Sequence, residues 1–433
     1  MNIEWILSFL FVVVLILMAC MFFYQKRSLL SPSVLFATWL SISLLISLFF
    51  LPKANYYSGA FLWYVICLFV FYIGESLGST LAGTLNFKQQ SIQKIHSNLN
   101  YLSRVAMISS IIGSMSVFVL MGTYGTSFFS LFDVEKLISI SRDYSLKRYE
   151  DPSYRTPTSV LILIVFMYLG NLIGGYIFAL SNNYTKICLG TLIPNILVGL
   201  ILTTRAAIFL GVILWTSAFL SAKVASHHGK VDFLNLKKIF VSIILTLGGI
   251  ILLGISRTLR SGKIDNFNTD YFMMVTGKLF SIIFASIPSF SMWFKSHING
   301  ALSDLTYGAI TFGGFLSIFG IKKQKFGSVD IGGGYPETTI HSIFGALAKD
   351  FTLYGTLLFF LIFGASAGYI FKLARNGSFK ASILLVPIYL YLLGFLVNSP
   401  WKFNNINLAI LLFLLLFLGL KEKGIQGFKT GNR

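Results

Sequence analysis

Acidic residues are scarce in this chain: 15 Asp and Glu stand against 34 Lys and Arg in 433 residues, a formal charge of +19. Only Glu4 and Glu75 fall within apolar runs, Glu75 in I-G-E-S-L-G, where a headgroup-level or serine-paired carboxylate is the expected role. A proton-coupled transporter needs buried carboxylates near the bilayer midplane, and this chain offers almost none. Cysteine is rare too. Cys20, Cys67 and Cys188 all lie inside apolar runs, which excludes a disulfide framework. No P-loop, H-E-x-x-H, G-x-S-x-G or C-x-x-C occurs, so nucleotide hydrolysis and zinc chemistry lack support, and neither a metal site nor a cofactor is expected. The cations are scattered and form no basic domain. That points away from nucleic acid and towards anionic lipid or an anionic ligand.

Hydrocarbon is what the chain has in quantity. Hydrophobic residues make up 55% and charged residues 11%, with a mean hydropathy of +0.78. Several runs reach about 18 to 22 residues, enough to cross a bilayer core. The sequence predicts an all-α, polytopic membrane protein forming a single integral membrane domain over 1–433, with about eleven spans. These are 3–24, 33–51, 59–82, 105–123, 158–181, 187–203, 206–222, 239–256, 353–374, 381–397 and 405–420. The first run lacks a basic leader and a cleavage site, and reads as a retained span. Short connections carrying Lys26, Arg27, Lys237, Lys238, Lys372 and Arg375 share one face; those on the other carry only Lys53, Arg205 and Lys402. The positive-inside rule then places the N-terminus outside and the C-terminus inside.

Two long connections fall on the outer face, 124–156 and 257–352. The second contains Leu279–Ile287 and Ala309–Ile321, both too short to span, which predicts re-entrant or interfacial helices, with a self-contained extracellular core as the competing reading.

Candidate chemistry gathers at that face. Arg205, in T-T-R-A-A-I-F, ends the sixth span, and Arg257 and Arg260, in S-R-T-L-R-S-G, close the eighth. Guanidinium forks suit phosphate oxygens, so three can hold a pyrophosphate without metal; a girdle gripping lipid headgroups is the bland alternative. The second constellation runs G-G-G-Y-P-E-T-T-I-H-S-I-F from Gly332. Three glycines and Pro336 form a loop. Thr338 or Thr339 then caps a helix starting near Ile340, placing His341 in its first turn, where the positive helix end keeps imidazole neutral and able to accept a proton. Glu337 either orients the ring or is the base itself; a merely structural His341 at the junction is the alternative.

Together these features resemble the O-antigen and capsule repeat-unit polymerases, the Wzy-type membrane glycosyltransferases. The resemblance rests on the layout of spans and outer loops, T-T-R-A-A-I-F at Arg205, the arginine after the eighth span, and P-E-T-T-I-H-S-I-F…D-F-T-L-Y-G leading into the ninth. A clean pair of matching arginine–glycine motifs in the two loops is missing. The resemblance implies a GT-C-like architecture and a multi-pass protein of the bacterial cytoplasmic (inner) membrane. It implies undecaprenyl-pyrophosphate-linked oligosaccharides as substrates, with membrane lipid, a flippase and a chain-length regulator as partners. The growing glycan would move onto a new lipid-linked unit, making lipopolysaccharide O-antigen or capsule. Arg205, Arg257 and Arg260, with Tyr335, would bind substrate; His341 or Glu337 would deprotonate the acceptor hydroxyl. The related O-antigen ligases share the layout and are the nearest alternative. A lipid-linked oligosaccharide flippase or other transporter is the alternative from another class.

Overall fold

A computed structural model describes residues 3–83, 97–123, 156–201, 205–226, 284–298, 305–324, 326–335, 341–396 and 399–420, together with the positions 125, 129, 133, 135–136, 139–140, 142–143, 229 and 337–338. At 200–201 and 205–206 the description is of the backbone. The predicted span 239–256, Arg257, Arg260, Thr339 and Ile340 lie outside the described residues, as does most of the loop 124–156.

The described chain is helical, and seven of its helices are long and apolar enough to cross a membrane. It is a multi-pass membrane protein. In order the helices are α1 (Ile3–Lys26), α2 (Pro32–Phe50), α3 (Ser58–Gly83), α4 (Leu99–Thr123), α5 (Thr158–Leu180), α6 (Thr185–Gly190), α7 (Ile193–Ile201), α8 (Arg205–Ser226), α9 (Ser286–His297), α10 (Gly313–Leu316), α11 (Ile343–Arg375), α12 (Phe379–Leu393) and α13 (Asn404–Leu418). The sixth predicted span is two pieces, α6 and α7, interrupted where Pro194 opens the second and removes an amide donor. Arg205 does not end that span: it is the first residue of α8. Among the described residues the β-structure is one antiparallel bridge, Val329 with Thr338.

Two hydrophobic lobes share α12. The first joins α1, α2, α3, α9 and α11 around Phe36, Phe71, Phe344 and Phe360. The second joins α4 to α8 with α13 around Leu172, Tyr176 and Phe413. One face of α12 (Leu385, Tyr389, Leu392) enters the first lobe, and the other (Ile383, Val386, Leu390) the second. Without a hydrophobic force between helices in lipid, close packing must come from small residues. Gly74 and Gly78 on α3 lie against the backbone of Leu361 and Ala365, while Gly364 and Gly368 on α11 lie against that of Phe71 and Glu75. The two helices thus interlock through reciprocal small-xxx-small pairs, and a methyl group at any of the four positions would overlap the facing backbone.

Contacts between connections define the two ends of the bundle. At one end the Arg375 guanidinium donates to the Lys26 carbonyl (3.3 Å), and Ser28 Oγ donates to Gly229 O (2.7 Å). Nearby, buried Glu75 accepts from Ser31 Oγ (2.6 Å) and from the Ser33 amide (2.7 Å) at the start of α2, so it is the serine-paired carboxylate expected. Satisfying an otherwise orphaned helix-terminal amide with a carboxylate is favourable there. At the other end, Ser291 and residues 331–333 lie against the α2–α3 connection.

Candidate functional site

The segment lying against that connection, the cap, is fastened by glycines. Gly332, Gly333 and Gly334 all have positive φ (71°, 66° and 76°), a conformation that costs a residue with Cβ roughly 1–2 kcal/mol. Gly332 sits against the Asn55 side chain and Gly333 against the Lys53 carbonyl, and the Asn55 amide donates to Ile331 O (2.8 Å). The oligoglycine is therefore a left-handed turn moulded to the α2–α3 connection. Its flanks pair through Val329 and Thr338, and Asp330 Oδ1 accepts from the Gly332 amide (2.8 Å).

α9 lies beneath this turn. It has 12 residues, too short to cross a bilayer at about 1.5 Å per residue, and Ser286 to Ser291, Trp293 and Phe294 are buried. Of the predicted piece 279–287, residues 279–283 lie outside the described residues, and the described helix begins only at Ser286 and runs on as a core helix of the cap. The second piece differs. α10 and the 3₁₀ turn Ser317–Phe319 present Phe315, Ile318 and Phe319 outwards, as an interfacial element does.

His341 stands where the cap meets the bundle, with 0% of its surface exposed. It is not in a first helical turn. α11 begins at Ile343 behind Ser342, whose side chain makes no cap hydrogen bond, and neither Thr338 nor Thr339 lies next to that start. Nε2 lies 3.0 Å from Gly327 O. A carbonyl only accepts, so Nε2 carries the proton and Nδ1 offers a lone pair. Ser289 Oγ, 2.9 Å from Nδ1, donates to it. The ring stacks on Phe326 at 3.8 Å, and the Lys349 ammonium stands 5.1 Å from that phenyl centroid. Burial pushes the imidazole pKa from 6.5 down to about 4, with the charges of Lys349 and Lys402 adding to the effect and the Gly327 bond opposing it. The histidine is neutral, as expected, but chiefly because it is dry and less because of a helix end.

The other predicted residues distribute unevenly. Tyr335 is half-buried against the first lobe, its amide donating to Gly332 O (3.2 Å). Glu337 is exposed, and both His341 nitrogens are taken by Ser289 and Gly327, so Glu337 does not orient the ring. Arg205 opens α8 in the second lobe. Gly175 on α5 packs against the Trp215 backbone, and Phe178 meets both Trp215 and Phe219. The two helices therefore run parallel, and counting back ten residues from each sets Arg205 level with about Val165, roughly 10 Å inside the start of α5. Arg205 is recessed.

Sequence reasoning missed three participants. Ser289 and Gly327 set the histidine tautomer. Asp350, buried on α11, accepts from the Ile310 amide (3.2 Å), the Thr311 amide (2.7 Å) and the Thr306 hydroxyl, pinning the 306–311 turn to the bundle. Two residues on, Thr352 breaks α11 with φ 66° and ψ 178°, a conformation that essentially glycine alone adopts freely and that is found where function demands it. No signal marked Ser289 among the serines of S-I-P-S-F-S, and Asp350 stands in A-L-A-K-D-F just ahead of the predicted span 353–374. Comparison with known proteins adds no identity: no family model, curated protein or solved structure matches the chain.

Proposed function

We propose that this protein is a membrane glycosyltransferase that polymerises oligosaccharide units carried on undecaprenyl pyrophosphate, at the end of the bundle where His341 lies. The observation that carries the reading is the neutral imidazole of His341, whose Nδ1 lone pair already accepts a hydroxyl hydrogen bond beneath a fixed cap. An acceptor sugar hydroxyl attacks the anomeric carbon of the donor glycan, the new C–O bond forms, and the bond to lipid pyrophosphate breaks. The hydroxyl proton passes to Ser289 Oγ as the serine proton passes to His341 Nδ1, or directly to Nδ1 once Ser289 turns away. A base with a pKa near 4 is unprotonated throughout the neutral range, and its conjugate acid gives the proton up readily. Arg205 and, by the sequence reading, Arg257 and Arg260 meet the charge developing on the leaving pyrophosphate. The scarcity of buried carboxylates supports transfer chemistry over proton-coupled transport, and the missing nucleotide motifs fit a donor that is lipid-linked.

The test is polymer formation from lipid-linked oligosaccharide by purified protein in vesicles. His341→Gln keeps a hydrogen-bonding side chain and removes the proton acceptor, so turnover falls by about 10²–10⁴ with donor binding retained. Arg205→Lys retains charge but loses the planar fork, and also falls. Normal polymer from both variants refutes the reading; loss on Glu337→Gln with normal His341→Gln moves the base to the carboxylate. Transfer of finished glycan to a lipid core, without chain growth, identifies a ligase.

A further inference from the structure

A second feature of the same end lies apart from His341. α5 and α13 both start there, and between their first turns runs a groove of about 400 Å³. Leu161, Ile162 and Leu408 form its apolar wall, and all three are exposed, so in a bilayer they face lipid. Its mouth is polar: Lys323, Asn404 and Asn405 close it. Lys323 arrives from the interfacial element after α10, and its ammonium donates to Asn404 Oδ1 (2.6 Å). That bond uses one of three ammonium donors. No lining residue is acidic, and from Gly313 to Val329 the chain holds lysines and no carboxylate. Partial desolvation lowers the Lys323 pKa, the condition of an amine poised to gain from an anion. The positive ends of α5 and α13 point to the same place, with no side-chain cap on either.

We propose that this groove seats one anionic glycerophospholipid, its acyl chain along Leu161, Ile162 and Leu408 and its phosphate at the Lys323 ammonium. The depth is right: first turns of spanning helices lie at headgroup level, and the flanking Phe315, Ile318 and Phe319 are the apolar contacts an interfacial element makes there. Basic pockets between spanning helices select anionic headgroups by the same physics. The seat is independent of the glycosyl-transfer reading. It would hold the interfacial element, and through it the cap, against the membrane.

The experiment uses the full chain with Leu408→Trp as a reporter in the groove, reconstituted in vesicles containing phosphatidylglycerol or phosphatidylcholine with brominated acyl chains. Quenching of the added tryptophan, over that of the parent protein, reads relative lipid association. Phosphatidylglycerol should be preferred about fivefold, Lys323→Gln should reduce the preference to about one, and Lys323→Arg and Lys322→Gln should keep it. Equal quenching by the two lipids overturns the proposal. So does an equal loss in Lys322→Gln, which would mean diffuse surface charge. Displacement of brominated phosphatidylglycerol by an equimolar polyprenyl phosphate would overturn it too, assigning the groove to an isoprenoid lipid.

Discussion

Lowering the pH should weaken the cap through His341, and the size of the effect follows from its burial. The unfolded imidazole titrates near 6.5, the folded one near 4. Between those values the unfolded chain binds a proton that the folded chain refuses, so stability falls as pH drops through that window and is unaffected by this group above it. A shift of about 2.5 units is worth about 3 kcal/mol at 1.36 kcal/mol per unit, with the full loss reached at pH 4. Thermal unfolding in detergent, followed by helicity from pH 7.5 to 4, should show the wild type losing stability below pH 6.5. His341→Gln should show a flatter profile, since glutamine does not titrate. Histidine-labelled NMR gives a second reading: one of the five imidazoles should stay in the Nε2–H form well below pH 6. Identical pH profiles for the two proteins, or protonation of His341 near pH 6.5, would refute the dry, doubly bonded ring and the base assigned to it.

Three further outcomes test the frame around that ring. Gly333→Ala places a methyl group in a left-handed turn (φ 66°) against the Lys53 carbonyl, and should destabilise by at least 1–2 kcal/mol, read as a fall in melting temperature and faster proteolysis of the cap. Gly368→Leu pushes into the Glu75 backbone on α3 and should cost about 1–3 kcal/mol or prevent insertion, whereas Leu358→Ala on the exposed side of α11 should be nearly silent by the same unfolding assay. Asp350→Asn sets an amide NH₂ against the Ile310 and Thr311 amides and should cost about 1–3 kcal/mol; hydrogen exchange should rise at 306–311 and not at the Lys26 end.

The spans were legible because hydrocarbon length is a constraint that composition alone carries. Nine of the eleven predicted spans each coincide with one described helix, seven of these long and apolar enough to cross a membrane; the sixth falls on two short helices and the eighth lies outside the described residues. Errors fell where tertiary contacts decide. The charge of Arg205 was visible, but its place at the head of α8 is a helix boundary that hydropathy blurs. His341 was expected to be neutral at a helix start facing a cavity; it is instead buried ahead of that start, and what sets its proton is a carbonyl at 327 and a hydroxyl at 289, neither of which can be read from one sequence. Glycine spacing in G-E-S-L-G and G-A-S-A-G was on the page as a pattern. It became an argument only once α3 and α11 were seen to face each other.

Among the described residues the buried carboxylates are Glu75 and Asp350. Glu75 and Asp350 sit on the interlocked pair α3 and α11, one towards each end of the bundle, and both accept from backbone amides and hydroxyls, with no ion pair to either among the described residues. An ion-paired acid would have drawn a lysine or arginine into the protein at a large desolvation cost. Amide donors at a helix start and in a turn hold the acid at lower cost, and they lock the geometry of each end. Lys323 and the first residue of α8, Arg205, stand at the same end of the bundle as His341.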